Sequence, residues 1–316
     1  MNTELMDRFL RRLKKENSYV NYKVALNDFY KYIIEEKKLQ FENDEGLVKE
    51  VTAKDFENYF YSMEDKYKKS TINFKIEVAK EFLNFCVRSN VDMRNPTQTV
   101  EMFSNEEVKD DIKEKYIPTK QEILRMIEST YEKKINGRNQ DYINARDRFY
   151  IALLTVTGLR ANECLGIEME DIEAVDGGYM INIGKNKVKN NIDKRVPIPA
   201  SIIKYFEEYK IQRMIANEKF NSDLLFFSSR GKKLMPCNMN DTLLEICERA
   251  SIKSTITNHC FRHFLTQYLD EKDVSESNIR KILGWKSNGT ARSNYTRKLY
   301  DKKDDQIKLK LCDVFR

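Results

Sequence analysis

The chain has 316 residues and 37.6 kDa, 41% hydrophobic and 34% charged, enough for two domains of ordinary size with a core each. Its longest mostly apolar run, Phe149 to Leu159, is too short and too polar to span a bilayer, and the N-terminus lacks the apolar stretch of a signal peptide, so a membrane role is excluded and a cytoplasmic location is expected. The net charge of +6 is uneven: residues 1–110 carry 19 basic against 21 acidic side chains, net −2, which leaves +8 on residues 111–316 and points to a polyanionic partner for the C-terminal part.

From the N-terminus to about residue 103, amphipathic helical patterns alternate with short polar breaks, which predicts a small helical bundle. Between Ser70 and Asn90, Ile72, Ile76, Ala79, Phe82, Leu83 and Cys86 recur at helical spacing after a Ser/Thr start, with Pro96 beyond the end. Residues 104–116 are charged and without apolar period, and are expected to link the two domains, 1–103 and 117–316. The second domain opens on Pro118 and the capping-box pattern Thr119 to Glu122, ahead of a helix carrying Ile123, Met126 and Ile127.

Next comes "LLTVTGLRANECLGI" (Leu153 to Ile167), in which an apolar helix ends at Gly158 and Arg160 follows on a turn, placed to project into a cleft. On its own, Arg160 reads as a helix C-cap or as an ion-pair partner of Glu163. The stretch Gly177 to Ala200 alternates Tyr179, Ile181 and Ile183, turns near Asn190-Asn191 and returns through Val196 and Ile198: a β-hairpin with a tip rich in lysine. The six cysteines, Cys86, Cys164, Cys237, Cys247, Cys260 and Cys312, form no CxxC pair and read as small core residues in a reducing compartment.

Both histidines of the chain lie in "TITNHCFRHFLTQYLDEK" (Thr255 to Lys272). On a helical wheel His259, Arg262, His263 and Thr266 share one face, while Phe261, Phe264, Leu265, Tyr268 and Leu269 cover the other, with Thr257 or Asn258 as N-cap. Three readings are open: a zinc pair, which lacks a third ligand and the glutamate of HExxH; a solvated polar face; and an anion site in which Arg262 grips phosphate oxygens and His259 exchanges a proton. Further on, "RKILGWKSNGTARSNYTRK" (Arg280 to Lys298) ends an apolar helix at Gly284, shows the single tryptophan, Trp285, and reaches Tyr295 amid Arg292, Arg297 and Lys298. The tail after it is expected to form a short helix with Ile307, Leu309 and Leu311 near its end.

In this order TGLRxxE, a lysine hairpin ending in VPIP, HxxRH, LGW and NYTR resemble the tyrosine recombinase (phage integrase) family. The N-terminal helical half is also similar to that family's core-binding domain. The resemblance implies a mainly α fold, a helical DNA-binding domain and a mostly helical catalytic domain with a small β-hairpin or sheet, closing as a C-shaped clamp on duplex DNA. It implies that Arg160 and Arg262 are the catalytic arginines, His259 the histidine of HxxR, Trp285 the residue at a position that is histidine or tryptophan, and Tyr295 the nucleophile, with Glu163 and His263 supporting the site. Lys185 is the favoured catalytic lysine; Lys187 and Lys189 stay open because the hairpin is longer than a compact one, and both are expected, with Arg292 and Arg297, to contact DNA. Tyr300 is the alternative nucleophile, since the interval from Trp285 to Tyr295 is one residue longer than usual.

These residue types suit phosphoryl transfer without a metal or cofactor. The arginines would neutralise the non-bridging oxygens, Lys185 would protonate the departing 5′ oxygen and Trp285 would donate its indole N–H, giving a 3′-phosphotyrosyl link. No nucleotide loop is visible. The expected partners are double-stranded DNA and further copies of the chain, dimer to tetramer, with the tail docked on a neighbour or folded back on its own domain. No arm-binding module is expected ahead of the helical part, which favours a simple recombinase over a large-complex phage integrase; a mobile element is the expected host. A type IB topoisomerase or relaxase-like nickase, and a non-catalytic DNA-binding regulator, are the alternatives.

Overall fold

The computed structural model describes residues 1–13, 16–110, 116–131, 139–187, 193–284 and 302–316. It divides into two compact units, Met1–Glu114 and Lys115–Arg316.

The first unit is helical: α1 (Glu4–Leu10), α2 (Glu16–Lys37), α3 (Asp44–Lys49), α4 (Ala53–Tyr61), α5 (Lys69–Arg88), a 3-10 turn at Thr97–Thr99, and α6 (Asn105–Asp110). All six apolar positions read from the α5 sequence are buried, and Phe82 meets Tyr30 of α2 edge to face at 5.8 Å. A buried side chain of that size contributes roughly 1.5–3 kcal/mol, so the α2–α5 contact anchors the bundle. Helix α1 has no side-chain cap from Thr3, and the carboxylate of Asp44 instead accepts the amides of Leu5 (3.2 Å) and Met6 (2.8 Å). That closes α1 onto α3 by satisfying N–H groups that no helix bonds internally. The charged stretch read as a linker contains α6, because Ser104 and Glu107 form a reciprocal cap there: the Ser104 amide donates to Glu107 Oε2 at 2.8 Å and the Glu107 amide to Ser104 Oγ at 3.2 Å.

The second unit contains α7 (Lys120–Ser129), α8 (Gln140–Thr157), α9 (Ala161–Cys164), β1 (Ile172–Val175), β2 (Gly178–Ile183), β3 (Lys194–Pro199), α10 (Ala200–Asn217), α11 (Pro236–Arg249), α12 (Asn258–Asp270), α13 (Glu276–Leu283) and α14 (Lys302–Leu311). Thr119 and Glu122 cap α7 reciprocally, and Ile123, Met126 and Ile127 are buried. Helix α8 is buried along most of its length and packs against α7, α10, α12 and β3, which makes it the post around which the unit is built.

The sheet is antiparallel in the order β1-β2-β3, with Ile183 opposite Lys194 and Ile181 opposite Val196. Strand β1 adds to the hairpin expected from the sequence. It is an edge strand with Glu173 and Ala174 exposed, so it lacks the apolar alternation that marks β2. The tail helix α14 packs on β3 of its own domain: Asp305 accepts from Arg195 Nε at 3.0 Å and Nη2 at 2.9 Å, Lys308 Nζ donates to the Arg195 carbonyl at 3.0 Å, and Leu309 and Cys312 are buried while Ile307 is exposed. Five of the six cysteines are buried and Cys237 is exposed. Among the described residues no helix is long and apolar enough to cross a membrane.

Candidate active site

Two helices end at left-handed glycines, and both ends border the same space. Gly158 (φ +56°) terminates α8 and Gly284 (φ +64°) terminates α13, at the positions where the sequence predicts the ends. A Cβ at Gly158 would lie 2.6 Å from Leu283 Cδ2, so the glycine permits both the turn and the close approach of α13. Gly158→Ala is expected to destabilise the second unit by about 2 kcal/mol for the left-handed backbone and by more for the collision. Urea unfolding of the purified variant measures this, and a change under about 0.5 kcal/mol would contradict it.

Arg262, on α12, ties these two ends together. Its Nη1 donates to the Gly158 carbonyl and its Nη2 to the Leu283 carbonyl, each at 2.7 Å. Carbonyls at helix C-termini lack helical partners and carry the negative end of the helix dipole, so a guanidinium suits them. The two bonds set its plane before any anion arrives. The expected exposed row of His259, Arg262, His263 and Thr266 is therefore corrected: His259 is exposed and His263 and Thr266 are half-buried, but Arg262 is 6% exposed, because α13 and the turn after α8 cover it. Thr257 occupies the N-cap position of α12, and Asn258 is buried, its amide group bonded to Tyr150, Asn240 and the Pro236 carbonyl.

Arg160 sits at the N-cap position of α9 and is 24% exposed. Its Nη1 donates to Glu163 Oε1 at 2.8 Å, and Glu163 Oε2 accepts from Lys194 Nζ at 2.6 Å. Both Glu163 and Lys194 are buried. Burial alone would raise the Glu163 carboxyl, but Lys194 and then Arg160 hold it below the usual 4.5. Burial lowers Lys194 from its ordinary value, and the charges of Arg262 and Arg160 lower it further, against the opposing pull of Glu163. Burial followed by the charge of Arg160 lowers Arg262 to about 10, so it stays charged at neutral pH. Three cations thus share one carboxylate, and an entering anion would relieve their repulsion.

The same arrangement predicts how acid acts. A carboxyl with its folded value depressed adds stability that is fully present above the unfolded value and is lost as pH falls through the folded one. Glu163→Gln is therefore expected to destabilise the second unit by about 3 kcal/mol at neutral pH, since it leaves buried cations without a counter-charge. Thermal melts should show the gap between variant and wild type shrink as pH drops below 4.5; a gap independent of pH would contradict the assignment.

Among the hairpin lysines, Lys185 is exposed at the start of the 3-10 turn Lys185–Lys187, its backbone N–H bonded to Asp193 Oδ1 at 2.7 Å. Lys187 is held on the protein by two carboxylates: its Nζ is bonded to Glu168 at 2.7 Å and Asp171 at 2.9 Å. Burial opposes its charge, yet those bonds raise its pKa. Lys189, Trp285, Arg292, Tyr295, Arg297 and Tyr300 lie outside the described residues. Among the described residues no three His, Cys, Asp or Glu side chains gather as metal ligands.

Lys194 is the residue that the sequence reading missed. Its signal was available, since Lys194 shares the parity of the inward-facing Val196 and Ile198, and a lysine on the buried face of a strand needs a partner.

Residues 135–302 match the model of the phage integrase family. A curated tyrosine recombinase of Agathobacter rectalis is 25% identical over 284 residues, covering 84% of this chain and 90% of that protein. The tyrosine recombinase XerC of Listeria innocua is 24% identical, covering 89% of each. Among solved structures, the XerH site-specific recombinase in a post-cleavage complex with palindromic difH substrate superposes with a TM-score of 0.66 at 18% identity, over 89% of this chain and 75% of that one. A lambda integrase dimer bound to a COC' core site gives 0.62 at 15% identity, over 90% and 94%. Both share the mainly α architecture with its small sheet.

Proposed function

The chain belongs to the phage integrase family, and from that membership we propose how its residues break and rejoin DNA. It is a site-specific tyrosine recombinase. The Tyr295 Oη attacks the scissile phosphorus; the P–O5′ bond breaks, its electron pair stays on the 5′ oxygen, and a proton from Lys185 completes the free hydroxyl. The phosphate remains on Tyr295 as a 3′-phosphotyrosyl ester, and attack by another 5′ hydroxyl reverses the step. Because each ester replaces an ester, the exchange conserves bond energy.

Arg160 and Arg262 neutralise the non-bridging oxygens as charge builds in the transition state, where preorganised donors are most effective. His259 assists the phenol proton, His263 supports it, and Trp285 donates its indole N–H to the phosphate. Glu163 positions Arg160. Lys189, Arg292 and Arg297 hold the DNA backbone; Lys187 reaches it only by leaving Glu168 and Asp171. The enzyme works in the cytoplasm on double-stranded DNA as a homo-oligomer, dimer to tetramer, carried by a mobile element, with residues 1–103 as its helical DNA-binding domain.

One observation carries this reading: Arg160 and Arg262, from distant parts of the sequence, are each held in place by the fold, Arg160 by Glu163 and the buried Arg262 by the carbonyls of Gly158 and Leu283, so that burial first and the charge of Arg160 second lower the pKa of Arg262, costs that a bound phosphodiester would offset. The test is to incubate the protein with DNA fragments from its native genetic neighbourhood, denature in detergent and look for DNA that still migrates with protein. A covalent adduct at a defined site is expected; tight binding to a defined fragment without any adduct would instead make the protein a regulator.

A further inference from the structure

We propose that Lys194 is a positioning residue for strand cleavage, setting both catalytic arginines from the base of the hairpin; the inference rests on the strand-cleavage reading above. Lys194 begins β3, and its side chain is 7% exposed. Two features place it between the arginines. Its Nζ holds Glu163 Oε2 at 2.6 Å, while the other oxygen of the same carboxylate holds Arg160 at 2.8 Å. Its stem runs beneath Gly284, where any Cβ would collide with Lys194 Cε. The residue before that glycine, Leu283, presents the carbonyl that anchors Arg262.

Lys194 therefore touches the support of each arginine. Its Nζ is bonded to Glu163, so it acts through the carboxylate and the α13 terminus, and the proposed donor of the proton to the leaving oxygen remains Lys185. Residue type matters here. A methionine would fill the same channel without satisfying Glu163, and an arginine would keep the charge with a bulkier head. A shift of about 1 Å in a catalytic group slows a reaction on the order of 100-fold, which sets the expected effect.

The experiment compares the rate of covalent adduct formation on the cleaved site with the rate on the same duplex carrying sulphur in place of the bridging 5′ oxygen. A thiolate leaves without being protonated, since thiols ionise near pH 8.5, whereas an alkoxide needs the proton. Lys194→Met is expected to be slowed about 100-fold on both substrates, with DNA binding at fixed salt within a few-fold of wild type and Lys194→Arg recovering most of the rate. Lys194→Met in a Glu163→Gln background should add little further loss, because the two act as a unit.

Recovery of Lys194→Met to the wild-type rate on the sulphur substrate would make Lys194 the proton donor and overturn the inference, as would an undiminished rate on the oxygen substrate. Should Lys194→Met fail to fold in thermal melts, the same pair of substrates applied to Lys194→Arg decides, since a deficit that sulphur removes again overturns it. Absence of any adduct with the wild-type protein would instead defeat the strand-cleavage reading itself, an outcome separate from these.

Discussion

Tyr295→Phe is expected to abolish the covalent adduct while leaving DNA binding nearly intact. A phenylalanine has no oxygen to bond to phosphorus, so the loss should be on the order of 10⁴-fold or more, the scale that follows deletion of a covalent nucleophile. Binding should survive because affinity for DNA comes mostly from many cation–phosphate contacts, none of which the phenol supplies. A phenol ionises near pH 10, so at neutral pH roughly one in a thousand is the phenolate, and the proposed mechanism requires the positive field of Arg160 and Arg262 to assist the attack. The control is Tyr300→Phe, expected to retain adduct formation. If Tyr295→Phe kept its adduct and Tyr300→Phe lost it, the nucleophile would be Tyr300 and the spacing from Trp285 would be longer than proposed.

The second large effect is expected at Arg262. Arg262→Lys keeps a positive charge but cannot reproduce two planar N–H bonds to the carbonyls of Gly158 and Leu283 while also meeting a phosphate. Adduct formation should fall at least about 100-fold, equivalent to about 2.7 kcal/mol of lost transition-state stabilisation. DNA binding measured against salt should lose no more than about one unit of slope, as befits a single phosphate contact. Equal losses in binding and in cleavage would show that Arg262 holds the ground state as tightly as the transition state, contrary to its proposed role. The variant also leaves two buried helix-terminal carbonyls poorly satisfied, so a lower melting temperature should accompany the lost activity.

Much of this protein was legible in one dimension because its signals are local. Helix α5 declared itself by apolar residues at helical spacing, α7 by the Thr119 and Glu122 capping box, and the ends of α8 and α13 by glycines that accept the left-handed turn. The order of TGLRxxE, HxxRH, LGW and NYTR carried the family, and with it the roles proposed for Arg160 and Arg262. Each of these rests on neighbours a few residues apart, where backbone geometry alone decides who meets whom.

Tertiary packing decided what sequence spacing cannot express. A helical wheel assigns Arg262 to a polar face, but it does not know that α13 will cover that face, so burial of the guanidinium against two helix ends emerged only from the fold. That Lys187 meets Glu168 and Asp171, 19 and 16 residues away, was likewise invisible in the sequence. Strand β1 escaped notice because an edge strand need not alternate. Lys194 lies 31 residues from Glu163, and the contact between them exists because β3 pairs in one register beside α8 and α9. Residue chemistry and local period named candidate parts of the site; the long-range closure of helices onto a sheet determined which charges face one another.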